Sequence, residues 1–151
     1  MRRLFWLTVL VGMSLLCNAC NNTEPEPASV ELPFAKLRLT IVHTATDPFL
    51  QRFNLTLKVQ GFESCSSSTE LFPDTGYAGR RNVYLAGRGM IYVVGQFDAR
   101  VIDPRDCRTM LSEFRLLDRE VVFLGSFDQN SERKWVYLSA AERPELPFEK
   151  R

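Results

Sequence analysis

Phe53-Asn54-Leu55-Thr56-Leu57-Lys58-Val59-Gln60 alternates without a break. Phe53, Leu55, Leu57 and Val59 point to one side, and Asn54, Thr56, Lys58 and Gln60 to the other. A period of two is that of a strand with one face on a core and the other in water, and such one-sided strands belong to antiparallel sheets. The residues upstream repeat the pattern: Ala35, Leu37, Leu39 and Ile41 share a face, against Lys36, Arg38 and Thr40. Thr44-Ala45-Thr46-Asp47-Pro48 between the two runs is turn chemistry.

Downstream, Gly61 to Gly79 reads as a long polar connection, low in complexity over Ser64 to Thr69. Arg81 to Ala86 and Met90 to Val101 read as a hairpin around Gly87-Arg88-Gly89. In its second strand Ile91, Val93, Phe97, Ala99 and Val101 share a face, with Gly95 at a bulge or a close approach. After Asp103-Pro104-Arg105-Asp106 the period changes. Asp103 suits a helix cap and Pro104 a first helical position, and Cys107, Met110, Leu111, Phe114 and Leu117 recur at helical spacing. Glu120 to Phe127 and Lys134 to Ala140 form a last hairpin, with Val121, Phe123 and Phe127 on one face. The expected fold is mainly β: an antiparallel β-sandwich or sheet of about six to seven strands, with one short helix at about 104–116. The β-rich domain spans 34–140, and 141–151 is an irregular tail. Glu31-Leu32-Pro33-Phe34 recurs as Glu145-Leu146-Pro147-Phe148, as if each end left the domain on a proline and tucked a phenylalanine against it.

The first twenty residues carry a different message. Arg2 and Arg3 precede an apolar run from Leu4 to Leu16, followed by Cys17-Asn18-Ala19-Cys20. A membrane-spanning helix needs about 20 apolar residues, so this run is short for a span and suits a cleaved signal. The stretch resembles a bacterial lipoprotein signal. That resemblance implies a signal peptide over 1–19 and Cys20 as the first mature residue, carrying acyl chains that hold the protein to a membrane. It also implies residence in the bacterial cell envelope, at the outer membrane facing the periplasm. Ordinary cleavage after Ala19, or an uncleaved anchor, are the alternatives. Residues 20–33, polar and proline-rich, then read as a lipidated tether. With Cys17 removed and Cys20 acylated, Cys65 and Cys107 remain. In an oxidising compartment an even pair reads as a disulfide, against the alternative of two buried thiols.

The chain has 151 residues, with 45% hydrophobic and 11% aromatic content, enough for one cored domain. Nineteen basic residues balance 18 acidic ones, so no electrostatic case for nucleic acid exists. His43 is the only histidine, and two distant cysteines beside it do not make a metal site. Asp98, Asp103 and Asp106 are explained by a turn and a cap, and Gly87-Arg88-Gly89 is no phosphate cradle. No cofactor is expected. Arg80, Arg81, Arg88 and Tyr92 form a candidate partner surface, with Tyr84, Trp135 and Tyr137 as further aromatic candidates. The expectation is a membrane-anchored, non-catalytic binding or assembly module with a protein partner in the cell envelope. The alternative is an inhibitor or protective lipoprotein that presents a disulfide-pinned loop, 63–77, to a hydrolase.

Overall fold

The computed structural model describes residues 24–47, 49–76, 78–113 and 120–148. The leader and Cys20 lie outside the described residues. Two antiparallel sheets pack face to face as a β-sandwich. The first holds β1 (Glu26–Leu32), β2 (Leu37–Ala45), β3 (Phe53–Gly61) and β4 (Ser66–Glu70), in that order. The second holds β5 (Arg81–Leu85), β6 (Ile91–Val94), β7 (Ala99–Asp103), β8 (Arg108–Leu111), β9 (Val122–Gln129) and β10 (Trp135–Ser139), in the order β10-β9-β5-β6-β7-β8.

The alternating runs form as expected. β2 and β3 pair Leu39 with Val59 and Ile41 with Leu57, which places both apolar rows on one face. Leu37, Leu39, Ile41, Leu55, Leu57 and Val59 pack there against Val83, Ile91, Val93, Ile102, Phe127 and Trp135 of the second sheet. The Trp135 indole N–H donates to the Ile41 carbonyl at 3.0 Å, so this aromatic satisfies its one polar atom across the core.

The sandwich is closed along both sides. β1 runs beside β10, and β4 beside β8. The second seam is stapled: Cys65 and Cys107 form a disulfide, with Cα atoms 5.5 Å apart and a sequence separation of 42. Next to it Ser67 Oγ donates to the Cys107 carbonyl at 2.6 Å and lies 3.2 Å from Thr109 Oγ1.

Several sequence expectations need correction. There are ten strands among the described residues, not six or seven. Glu26–Leu32, expected within a tether over 20–33, is a strand. Ala28 and Leu32 bury their side chains, and Pro27 is tolerated because the strand is at a sheet edge. The long connection from Gly61 contains β4, which pairs with β3 through its backbone although its side chains are all polar. The expected second strand of the 81–101 hairpin is two strands, because Gly95 N–H bonds the Asp98 carbonyl and turns the chain. Phe97 at that turn is outward and 39% exposed.

The helix expected at 104–116 is not present over 104–113. Asp103 Oδ1 accepts the Arg105 backbone N–H at 3.0 Å, and Asp106 Oδ1 that of Arg108 at 3.0 Å. Cys107 adopts φ 56°, which closes a turn between β7 and β8 instead of opening a helix. Residues 114–116 lie outside the described residues. In β9 the alternation is broken. Val83 pairs with Gly125 but Tyr84 with Phe123, a bulge that sends Phe127 into the core and Phe123 to the outer face.

That outer face carries a second apolar cluster of Tyr84, Val94 and Ala99, with Tyr92, Val121, Phe123 and Phe148 against it. The irregular tail crosses it. Tyr84 OH donates to Glu145 Oε1 at 2.7 Å, Asn82 Nδ2 to the Leu146 carbonyl at 3.2 Å, and Arg80 Nη2 to the Pro147 carbonyl at 2.9 Å. Phe148 is tucked as expected, whereas Phe34 of the matching tetrapeptide stays 57% exposed. Burial and then the Glu145 carboxylate push the Tyr84 phenol well above its usual range.

The staple closes a loop of about 43 residues, which on the chain-entropy model stabilises the fold by roughly 4 kcal/mol. The double variant Cys65→Ala/Cys107→Ala should unfold at lower denaturant with a free energy reduced by about 3–4 kcal/mol. A loss under about 1 kcal/mol in equilibrium unfolding would show that the seam is held without the covalent link.

Candidate functional site

The sandwich has two distinct ends. At one, where β1 begins, the β2–β3 and β9–β10 connections surround a cleft of about 490 Å³. His43 lies in its floor, 1% exposed. The alternation of β2 carries His43 inward with Ile41, as the sequence parity indicates. Its ring stacks on Phe53, centroids 3.8 Å apart, and on Trp135 at 4.7 Å. Its Nε2 faces Asp74 Oδ2 at 3.6 Å and its Nδ1 faces Glu26 Oε2 at 4.0 Å. These are ion-pair separations beyond hydrogen-bonding reach, and neither ring nitrogen has a hydrogen-bond partner among the described residues.

Asp74 is held firmly. It bridges Phe53 through the backbone, and its Oδ1 accepts the N–H groups of Gly76 at 2.8 Å and Ala78 at 3.1 Å. Burial pushes its carboxyl upward, but the facing His43 ring and the two backbone donors outweigh this and leave it below the usual aspartate value. Gly79 admits the carboxylate: a Cβ there would lie 2.4 Å from Asp74 Oδ2.

The loop that carries Asp74 is clamped from behind by Arg81. This guanidinium is 1% exposed. It donates to the carbonyls of Phe72, Ala78, Gly79 and Arg80, and lies 3.4 Å from Asp98 Oδ1. Burial lowers its pKa, with Asp98 and Asp74 opposing that shift. Gly95 gives it room, since a Cβ there would come within 2.7 Å of the guanidinium carbon. Arg81 therefore does not belong to an exposed surface. Arg80 and Arg88 flank opposite ends of β5, and Tyr92 packs on the outer face beside the Tyr84 cluster. The four residues expected to form one partner surface are not brought together.

The opposite end is the stapled one. Two adjoining hollows share Arg105: one is lined by Arg88, Met90, Asp103, Arg108 and Met110, the other by Lys36, Phe62, Glu63 and Cys65 among others. Phe34 is 57% exposed and Phe62 52%. Arg105 donates from Nε and Nη2 to Asp103 at 2.9 and 2.6 Å, which holds the Asp103 carboxyl down at about 2. Sequence reading picked out Arg88 here but not Phe62 or Met110. Their signal, single apolar residues in polar surroundings, is too common to be read alone.

Chemically, the cleft offers an imidazole, carboxylates from Glu26, Asp47 and Asp74, and the Arg133 guanidinium. None of its described lining residues is a serine, threonine, cysteine or lysine. Among the described residues no group of histidine, cysteine and acidic side chains is arranged to hold a metal. No protein-family model, curated protein or solved structure matches the chain.

Asp74 has a folded pKa below its unfolded value, so the stability it contributes is complete above the ordinary aspartate pKa of about 4 and fades as pH falls through the lower folded value. Asp74→Asn should cost about 1–2 kcal/mol at neutral pH. In acid the variant and wild-type unfolding curves should converge. A cost that stays constant from neutral to acid pH would show that the carboxylate charge plays no part.

Proposed function

We propose that the protein is a lipid-anchored, non-catalytic binding or assembly module of the bacterial cell envelope. Its anchor is Cys20, and its partner is another envelope protein. The anchor and an outer-membrane location facing the periplasm rest on the resemblance of the first twenty residues to a lipoprotein signal.

The observation that carries the binding reading is the stapled end. Phe34, Phe62 and Met110 stay exposed there beside Arg88, Arg105 and Arg108. Aromatic residues, methionine and arginine are the types enriched where proteins bind one another. The disulfide ties together the turns that carry Phe62 and Arg105, so less ordering entropy is lost there on binding. This end also lies at the finish of β1, away from the side where the chain enters from Cys20.

The chemistry of the cleft favours binding over catalysis. His43 faces two carboxylates but no nucleophile among the described lining residues, and stacked rings cover it on both sides. The loop of the inhibitor reading is built into the fold, which favours the binding-module reading over it. Within 63–77, β4 is paired to β3, Ser67 bonds the β7–β8 turn, the Phe72 N–H bonds Asp98 at 2.9 Å, and Asp74 is buried. The backbone of this segment is thus tied to the fold at several points along its length.

A photoreactive residue at position 62 or 110 of the full acylated chain should crosslink to a discrete envelope protein in intact cells. The same probe at Ser29, on the exposed face of β1, should not. Phe62→Ser should reduce recovery of that adduct from position 110 at least fivefold while leaving the unfolding midpoint unchanged. Equal adducts from position 29, or none from 62 and 110, would remove the stapled end as the partner surface.

A further inference from the structure

The β2–β3 loop is a preformed apolar tip. Phe49 is 90% exposed and Leu50 50%. Their exposure is built in by the backbone. Asp47 Oδ1 accepts the N–H groups of Phe49 at 2.8 Å and Leu50 at 3.1 Å. The Thr46 N–H and hydroxyl both donate to the Arg52 carbonyl, at 2.9 and 3.1 Å, closing the neck of the loop. The Arg52 N–H bonds the Leu50 carbonyl at 2.8 Å. Two large apolar side chains are thus held outward by turn hydrogen bonds, where collapse onto the domain would otherwise hide them.

The tip stands at the end where the chain enters. Glu26, the first residue of β1, pairs with His43, and Ala45 with Phe53. The loop therefore projects beyond the start of β1, on the side from which Cys20 is reached. Because β1 takes up Glu26–Leu32, the chain from Cys20 to Glu26 spans about 20 Å at full extension. An acylated Cys20 would keep this end of the sandwich within that distance of the lipid surface. Charges around the tip are mixed: Arg52, Arg133 and Lys134 lie among Glu26, Asp47 and Glu132, and Lys134 is paired to Glu132 at 2.8 Å. An interfacial contact here is made by apolar burial and not by a field of one sign.

We infer that Phe49 and Leu50 are a second membrane contact: they dock into the lipid interface beside the acyl anchor and fix the orientation of the sandwich, with the stapled end outward. This inference rests on the reading of Cys20 as the acylated residue. The loop adds no strength that the acyl chains need. It removes the rotational freedom that an anchor at one point alone would leave.

The test uses the mature acylated chain in vesicles of phosphatidylethanolamine and phosphatidylglycerol, spin-labelled at Phe49→Cys or, as a reference, at Phe34→Cys on the opposite end. Intact mass reports the acyl chains on Cys20 separately from docking. With acylation confirmed, the label at 49 should be several-fold more accessible to oxygen relative to a water-soluble nickel chelate than the label at 34, and added salt should not change this. Equal, water-like accessibility at both sites in the acylated protein would overturn the docking and leave the anchor intact. Absence of acyl chains would overturn the anchor reading and this inference with it. A label at 49 that is water-exposed in pure lipid but immobilised in native envelope membranes would overturn lipid docking in favour of a protein at the tip.

Discussion

The buried guanidinium of Arg81 holds the cleft end of this molecule in order. Its donors close on four backbone carbonyls from Phe72 and from Ala78, Gly79 and Arg80. With these acceptors and Asp98 alongside it, a full charge is kept where an unpaired one would be prohibitively costly. The segment it grips carries Asp74, and Asp74 faces His43. The His43 ring in turn fills the space between Phe53 and Trp135. The cleft floor thus depends on how one loop is tied down.

The other end is organised by covalent chemistry. β4 has no apolar side chain to bury, and strand propensity offers no reason for it to form. Its neighbours supply one: Cys65 fixes its entry against Cys107, and Ser67 finds the Cys107 carbonyl. The sandwich is thus closed by hydrophobic packing through the middle, by a guanidinium clamp at one end and by a disulfide at the other. The β4–β8 seam needs the staple because it is the polar one.

Much of the fold was legible because the central strands obey a single period. β2 and β3 alternate without interruption and are buried in register as their sequence indicates. The cysteine pair was legible from arithmetic, on the expectation that the chain meets an oxidising compartment. What escaped was structure that the chain gains only from its surroundings. β1 reads as a proline-rich tether because Ala28, Val30 and Leu32 are a sparse apolar row, adequate only once β2 stands beside it. β4 reads as loop for the same reason. The helix expected after Asp103 fails because helical spacing of Cys107 and Met110 is equally compatible with a turn, and side-chain bonds from Asp103 and Asp106 decide for the turn. Of the candidate surface, Arg81 was misplaced because its partners are backbone carbonyls, which no residue pattern displays. His43 was placed correctly on an inward parity, but Asp74 and Glu26 beside it come from distant segments.

The closure of the sandwich also limits how it can engage anything else. A sheet with an open edge can recruit a partner by adding a strand. Here β1 lies against β10 and β4 against β8, so each edge is covered by the other sheet. The outer face of the second sheet is crossed by the tail through Asn82, Tyr84 and Arg80. Large exposed aromatics are left at the two ends, Phe49 at one and Phe34 and Phe62 at the other. An end-on contact is therefore the mode that the proposed binding role would use. Because β1 starts so soon after Cys20, the two ends are not equivalent: an anchor at Cys20 assigns one to the membrane side and leaves the other free. The edge strand that closes the sandwich is also the one that would shorten a tether from Cys20, so the proposed orientation and the closure of the fold draw on one segment of sequence.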